Sequence, residues 1–286
     1  MDNSLLENIL KNIDELKPYG DFNTTVTISD FSFNFCGLNQ GQKEYIEKSY
    51  IGFITEELKN SISVRIGILE KENNTGKKDF LLFDYEKNSF LVANYFVASR
   101  EEDNKNCILK IIKGNERNLL YAVENFLRWM MSKLVLIQNG VLLHASAKVM
   151  DGETHIFLGN HGGGKSTAVS LIEEGFTIAD DVVLILNRNN QYFAFAMPAI
   201  SRFNQKIEEI GYYPIRSFYK LVKSEQNKLK NLSKAGAFAV LVSSVPFLTK
   251  TNRHHYIAMN IIEKINVFEL HFKKEINFLE KAYQNI

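Results

Sequence analysis

The sequence predicts a mixed α/β (α+β) chain, in which a mostly antiparallel β-sheet lobe with helices precedes a phosphate-loop domain. Apolar residues alternate with polar ones through about the first hundred residues, which is typical of half-buried strands. The pattern G-x-x-x-x-G-K-[ST] is met at Gly159–Ser166, between a β-rich run and a helical pattern. We therefore expect a β-rich lobe over 1–114, a connecting helix over 115–140 and the phosphate-loop domain over 141–286.

Composition excludes several classes of function. The 286 residues include 34 Lys+Arg and 33 Asp+Glu, so no global basic field favours nucleic acid or anionic membranes. Two distant cysteines form neither a metal spacing nor a disulfide framework. The first residues carry no positive n-region, and no apolar run approaches the roughly 20 residues that span a bilayer. We expect a cytoplasmic protein that binds neither nucleic acid nor membrane.

The N-terminal lobe begins with helical spacing of apolar residues over 4–17, which Pro18 and Gly20 end. A second helix is expected near Lys43–Tyr50. Period-two patterns predict strands at Thr25–Phe35, Ser61–Leu69, Phe80–Tyr85, Phe90–Ala98 and Cys107–Ile112. The longer pattern at Glu116–Ile137 is apolar on more than one face, so we interpret it as a packing helix and not as a cofactor site.

The second part opens with a predicted strand, Val141–Met150, followed by the two-residue hairpin signal Asp151-Gly152. A strand at His155–Leu158 leads into the loop, and a helix is expected over Lys165–Glu174 with Gly175 as its C-terminal cap. Further strands are predicted at Phe176–Ile178, Val182–Leu186, Tyr192–Ala196 and Val267–Phe272, and helices at Lys234–Ser243 and Tyr256–Ile265.

Basic residues occur between these elements. Arg216, Lys220 and Lys223 follow helical spacing, which indicates either a solvated helix face or a docking surface for an acidic peptide or protein. Arg202 is either an exposed charge or a clamp for transferred phosphate.

The loop motif carries the chemistry. Its backbone N–H groups surround nucleotide phosphates, its Lys reaches the β/γ oxygens and its hydroxyl joins Mg²⁺. A glycine-rich turn with an incidental Lys is the alternative. The predicted nucleotide-binding residues are Gly159, Asn160, His161, Gly162, Gly163, Gly164, Lys165, Ser166 and Thr167.

Two adjacent acids, Asp180 and Asp181, follow the loop at the end of a short strand. Phosphoryl transfer needs a metal anchor and a group that accepts the proton of the attacking hydroxyl. We expect Ser166 and Asp180 to bind Mg²⁺, although the residues leave open which aspartate is the base. Neighbouring strand residues point to opposite sides, so one carboxylate can face the metal and the other the acceptor. His144, on the preceding strand, is either a core histidine or a catalytic one.

Leu143-His144-Ala145-Ser146, the hairpin, Gly159–Ser166 and Gly175–Asp181 together resemble the catalytic domain of HPr kinase/phosphorylase and its smaller relatives, a fold related to phosphoenolpyruvate carboxykinase. The resemblance runs from about Val141 onward. It implies that Lys165 contacts phosphates, that Ser166 contacts the metal and that His144 lines the active site. In true HPr enzymes the loop resembles Gly-Lys-Ser-Glu at its end, whereas here Thr167 follows Ser166. The chain therefore resembles one of the smaller relatives.

From the motif and the resemblance we expect a Mg²⁺-dependent kinase that uses ATP, with GTP left open. It would transfer the γ-phosphate to a hydroxyl, expected to be serine, of a peptide, protein or small molecule such as an amino acid. The alternatives are a nucleotide-binding regulatory module without transfer, a true HPr kinase/phosphorylase, and a carboxykinase-like reaction on an organic acid. The resemblance also implies homo-oligomers.

Overall fold

A computed structural model describes residues 16–57, 61–70, 82–85, 88–114, 116–198, 209–247 and 252–284. These residues form a mixed α/β structure with two eight-stranded sheets and six helices. The chain divides into two compact units, one up to Trp129 and one from Met130 onward. The expected boundaries at 114 and 140 stay predictions. Most of the helical pattern at 4–17 lies outside the described residues.

The first unit contains a sheet with strand order β3-β1-β2-β4-β8-β7-β6-β5. Two neighbouring pairs, β2–β4 and β4–β8, are parallel and the others are antiparallel. Its elements are β1 (Phe22–Ile28), β2 (Phe31–Leu38), α1 (Gln40–Ser49), β3 (Ile54–Thr55), β4 (Ile62–Leu69), β5 (Leu82–Tyr85), β6 (Asn88–Ala93), β7 (Phe96–Arg100) and β8 (Asn106–Ile112).

Two predicted strands of this unit are in fact hairpins. The run Thr25–Phe35 is divided between β1 and β2, because Ser29 adopts a positive φ of 55° and reverses the chain. The run Phe90–Ala98 is likewise shared by β6 and β7, which turn between Ala93 and Phe96. Period-two alternation continues through such short turns, so it does not reveal where one strand ends.

Helix α2 spans Glu116–Ile137, as the sequence predicts. Within the first unit, its Phe126 ring packs edge-on against Phe33 and Phe35, at centroid distances of 6.3 and 6.0 Å. Phe126 and Trp129 are fully buried, which agrees with a packing helix. Neither α2 nor any other helix in the described ranges combines the length and hydropathy needed to cross a membrane.

The second unit contains a sheet with order β10-β9-β12-β13-β14-β16-β15, in which β11 also pairs with β9. A further pairing joins β10 to β14, so strands β10, β9, β12, β13 and β14 form a closed ring. The elements are β9 (Val141–Met150), β10 (Glu153–Leu158), α3 (Lys165–Leu171), β11 (Phe176–Ala179), β12 (Val182–Arg188), β13 (Gln191–Ala196), β14 (Tyr212–Lys223), β15 (Lys228–Asn231), α4 (Lys234–Ser243), α5 (Arg253–Ile262), β16 (Asn266–Phe272) and α6 (Phe278–Gln284).

The direction of three strands positions the loop. Strands β10, β14 and β16 run parallel, so their carboxyl ends meet at one edge of the sheet. Strand β9 runs antiparallel to β10, and its Ala145 pairs with Leu158, the last residue of β10. His144, one residue before Ala145, therefore lies at the same edge as the loop that follows Leu158.

The hairpin between β9 and β10 agrees with its sequence signal, since Asp151 and Gly152 both have positive φ, 50° and 79°. Helix α3 is shorter than predicted and ends at Leu171. Gly175 does not cap it. This glycine, at φ 70°, precedes β11, where an added Cβ would lie 1.8 Å from the carbonyl oxygen of Val149. The glycine therefore permits close strand contact.

The helical interpretation of the basic stretch is wrong, because Arg216, Lys220 and Lys223 lie on β14. This strand pairs with β10 on one side and β16 on the other, and these backbone hydrogen bonds override the helical spacing of its charges. Lys220 Nζ lies 3.0 Å from Glu269 Oε2 of β16. The predicted α4, α5 and β16 are present, whereas α6 was not predicted.

Candidate functional site

Glycines determine the shape of the phosphate loop, Gly159–Ser166. Gly162 and Gly164 have φ of 71° and 96°, a region that side chains rarely occupy. An added Cβ at Gly164 would lie 2.8 Å from Cζ of Phe272, the last residue of β16. The amide of Gly163 donates to the carbonyl of Asn160 at 2.9 Å, and a Cβ there would lie 2.8 Å from that oxygen. A side chain would therefore be strained at Gly162 and Gly164 and would clash with the Asn160 carbonyl at Gly163.

The Lys165 side chain is hydrogen-bonded to the backbone of the loop. Only 8% of this residue is exposed. Its Nζ donates to the carbonyl oxygens of Gly159 and Asn160, at 2.9 and 3.3 Å, and lies 3.1 Å from His144 Nε2. The ammonium group thus lies between the loop backbone and the imidazole.

His144 connects this lysine to a carboxylate. Its Nδ1 lies 3.1 Å from Asp181 Oδ1. A protonated lysine can only donate hydrogen bonds, so Nε2 accepts from Lys165 and the ring proton sits on Nδ1, donating to Asp181. Asp181 is only 6% exposed, and its carbonyl also accepts from the amide of Ala145. The three side chains form one hydrogen-bonded row.

The second aspartate is held by the same strand. Ser146, fully buried, donates from Oγ to Asp180 Oδ1 at 2.8 Å. His144 and Ser146 are two residues apart on β9 and share a face, so both carboxylates approach that face. The expectation that they point to opposite sides is not met, because Asp180 and Asp181 lie in a bend between β11 and β12 and not within a strand.

The next residue on this face is Lys148, which is buried. Its Nζ donates to the carbonyl oxygens of Val169, at 3.5 Å, and Ile172, at the end of α3. Alternate residues of β9 therefore hold the loop lysine, an aspartate and the helix. Sequence reasoning missed the roles of Ser146 and Lys148, although the period-two spacing His144-x-Ser146-x-Lys148 carries the signal.

A family model described as "ScmC: SynChlorMet cassette protein ScmC" matches residues 107–281, more than half of the chain. The chain belongs to the ScmC family. The match extends from β8 to α6 and includes the loop, His144 and both aspartates. It begins well upstream of the Val141 start that we expected for the HPr-type resemblance.

The ScmC-family chain also has solved structural neighbours. One is described as the structure of the Hpr(Ser) kinase/phosphatase from Coxiella burnetii, with 21% identity over 48% of this chain and 87% of that chain. The TM-score is 0.27, so the HPr enzyme is a weak structural neighbour and the matching family is ScmC. No curated protein matches the chain.

The two predicted metal ligands offer oxygen donors, a hydroxyl and a carboxylate, of the kind that Mg²⁺ takes. Ser166 is exposed on α3 and Asp180 is half-buried. Among the described residues, no three His, Cys, Asp or Glu side chains are grouped as a metal site. Mg²⁺ commonly takes one or two protein ligands and completes its shell with phosphate oxygens and water. Ser166 and Asp180 are the residues that would hold it.

The remaining predicted residues lie outside the hydrogen-bonded row. His161 is exposed in the loop, and Thr167 is half-buried on α3. Two histidines without predicted partners have them: His155 Nδ1 lies 2.9 Å from Tyr219 Oη, and His271 Nε2 lies 2.8 Å from Glu269 Oε1. Arg202 lies outside the described residues.

Proposed function

We propose that this ScmC-family chain is an ATP- and Mg²⁺-dependent kinase that transfers the γ-phosphate to a hydroxyl, that of serine in a peptide, a protein or the free amino acid. The observation that carries the proposal is the row Lys165–His144–Asp181, which joins the phosphate-binding lysine to a carboxylate through two contacts of 3.1 Å. This row favours a functional lysine over the alternative of a glycine-rich turn with an incidental lysine, because an incidental lysine would not be expected to contact a histidine that is itself paired with a carboxylate.

The loop would bind the donor nucleotide. Its glycine amides would surround the phosphates, and the Lys165 ammonium would exchange its contacts with Gly159 and Asn160 for phosphate oxygens. Ser166 and Asp180 would hold Mg²⁺, which neutralises charge on the β and γ oxygens. Ser146 supports this role of Asp180 by fixing its carboxylate.

Asp181 would accept the proton of the acceptor hydroxyl. The hydroxyl oxygen forms a bond to the γ-phosphorus, the bond between that phosphorus and the β-phosphate oxygen breaks, and ADP leaves. His144 donates to Oδ1 of Asp181 at 3.1 Å, which would orient this carboxylate as the proton acceptor. The proposal thus gives the base role to Asp181 and the metal role to Asp180, a choice that the sequence leaves open.

Labelled ATP tests the proposal. The chain is incubated with Mg²⁺, γ-labelled ATP and serine, serine-bearing peptides or cell extract, and the labelled product is identified by mass spectrometry. Asp181→Asn and Lys165→Ala are compared with Asp151→Asn, a control at an exposed turn that tolerates asparagine. We expect transfer with the unmodified chain and the control, and a loss of at least about 100-fold in the other two.

Each result has a distinct meaning. Equal transfer by Asp181→Asn would show that the base assignment is wrong. ATP binding that Lys165→Ala removes, without transfer to any acceptor, would instead support the nucleotide-binding regulatory module.

A further inference from the structure

The loop separates two different surroundings. On the β9 side lie His144 and the two aspartates, and on the other side lie the carboxyl ends of β14 and β16. A cleft of about 750 Å³ opens on this second side. Its lining includes Gly162, Gly164, Thr167, Lys223, Ser224 and Lys274. Because loop residues form part of the lining, the cleft is continuous with the phosphate loop.

The cleft is cationic. Lys223, Lys273 and Lys274 line it against a single carboxylate, Glu225. Lys273 Nζ lies 3.6 Å from Glu275 Oε2, whereas Lys223 and Lys274 make no ion pair within the described ranges. Both are exposed, so their ammonium groups are available to a ligand. Ammonium groups grouped beside a glycine-rich loop favour a phosphate-bearing ligand.

The direction of the nucleotide follows from the site. If Asp181 takes the acceptor proton, the γ-phosphate must face the β9 side, where the acceptor approaches. The remainder of the nucleotide must then leave the loop toward the opposite side. A volume of about 750 Å³ lies within the range of roughly 300–1,000 Å³ that is typical of small-molecule sites.

We propose that this cleft binds the α-phosphate and the nucleoside of the donor nucleotide. Lys223 and Lys274 contact the phosphates, and the nucleoside lies over the ends of β14 and β16 beside Ser224. The inference rests on the proposed kinase function, because that function sets the direction of the phosphate chain. In this proposal the phosphate acceptor binds on the β9 side and not in the cleft.

Two variants of the full chain test the cleft by equilibrium binding. Lys223→Glu/Lys274→Glu reverses its free charges, and Lys230→Glu/Lys234→Glu makes the same change at exposed lysines of β15 and α4 outside the lining. We expect the first pair to raise the Kd for ATP about tenfold or more and the control pair to change it less than about twofold.

Ser224→Trp fills the cleft with an indole, while the backbone N–H of residue 224 can still donate to the carbonyl of Phe272, as it does at 3.1 Å. We expect this variant to lose ATP binding and to keep binding of inorganic tripolyphosphate, which has no nucleoside for the indole to displace. Loss of tripolyphosphate binding as well would show that the indole disturbs the loop itself. The ATP affinity of Lys223→Glu/Lys274→Glu then decides whether the cleft binds the nucleotide.

Other results would overturn the inference. Unchanged ATP affinity in Ser224→Trp, or in Lys223→Glu/Lys274→Glu, would place the nucleoside elsewhere. If ATP binding is unchanged but phosphate transfer is lost, the cleft belongs to the acceptor. Failure of the kinase proposal looks different, since ATP would then bind through the cleft as expected and no acceptor would be phosphorylated.

Discussion

The two sides of the phosphate loop differ in how their polar side chains are held. On the β9 side, Lys165, Asp181, Ser146 and Lys148 are buried, and each makes hydrogen bonds. On the β14/β16 side, Lys223 and Lys274 are exposed and have no ion-pair partner in the described part of the chain. Removing one partner of a buried hydrogen bond costs more than removing an exposed charge, which water screens. We therefore expect the β9 side to be sensitive to substitution and the other side to be tolerant.

The strongest test removes His144, the centre of the hydrogen-bonded row. His144→Phe deletes the contacts to Lys165 and Asp181, each to a charged group and each worth about 1.5–3 kcal/mol. We expect the rate of phosphate transfer at saturating ATP to fall by about 100-fold. The measurement is single-turnover transfer, with His255→Phe, an exposed position on α5, as the control. A change of less than about threefold would contradict the role of the row.

Stability gives the second test. Lys148→Met leaves the carbonyls of Val169 and Ile172 without this donor, and we expect the free energy of unfolding to fall by about 2–3 kcal/mol. Lys223→Met, the same change on the exposed side, should alter it by less than about 0.5 kcal/mol. Urea unfolding of both variants measures the difference. Equal losses would mean that burial does not distinguish the two sides.

The third test concerns the metal. Ser146→Ala removes the hydrogen bond that orients Asp180. If Asp180 holds Mg²⁺, the Mg²⁺ concentration for half-maximal transfer should rise by about tenfold, as for other groups that orient a metal ligand. Titrating Mg²⁺ at fixed ATP measures this shift. An unchanged Mg²⁺ requirement with a lower maximal rate would assign Asp180 another role.

The last test lowers the pH. Burial, assisted by Arg216, lowers the pKa of His155 from 6.5 to about 4. The unfolded chain therefore binds a proton that the folded chain does not between about pH 6.5 and 4, and the free energy of unfolding falls as pH falls through this window, by about 1 kcal/mol per pH unit. Below about pH 4 this loss ends. Urea unfolding at several pH values should show a shallower slope for His155→Gln, and an equal slope would contradict the assignment.

Local patterns predicted much of the fold. Helices α2 and α4 and strand β9 have the predicted bounds because a clear stop follows each apolar run, such as Asn139-Gly140 after α2 and Asp151-Gly152 after β9. Strand β14 was not predicted, since its charges follow helical spacing and only pairing with β10 and β16 makes it a strand. The end of α3 was also missed, because Lys148 fixes it from a distant segment.

The sequence predicted which residues belong to the candidate site, but it did not predict the contacts between them. His144, Lys165 and Asp181 were selected from the order of motifs, and the structure brings them together. The Ser146–Asp180 hydrogen bond depends on the strand face and on the bend after β11, which a one-dimensional pattern does not contain. The cationic cleft needed the parallel order of β10, β14 and β16, since Lys223 and Lys274 are far apart in sequence.

Phe272 has a further consequence for how the protein matures. Its ring lies against Gly164, so the wall that shapes the phosphate loop comes from a strand synthesised long after the loop itself. A growing chain that has released the loop from the ribosome, but not β16, lacks this wall of the loop. If the loop binds nucleotide as proposed, ribosome-bound chains arrested before Asn266 should bind ATP less well than the full chain.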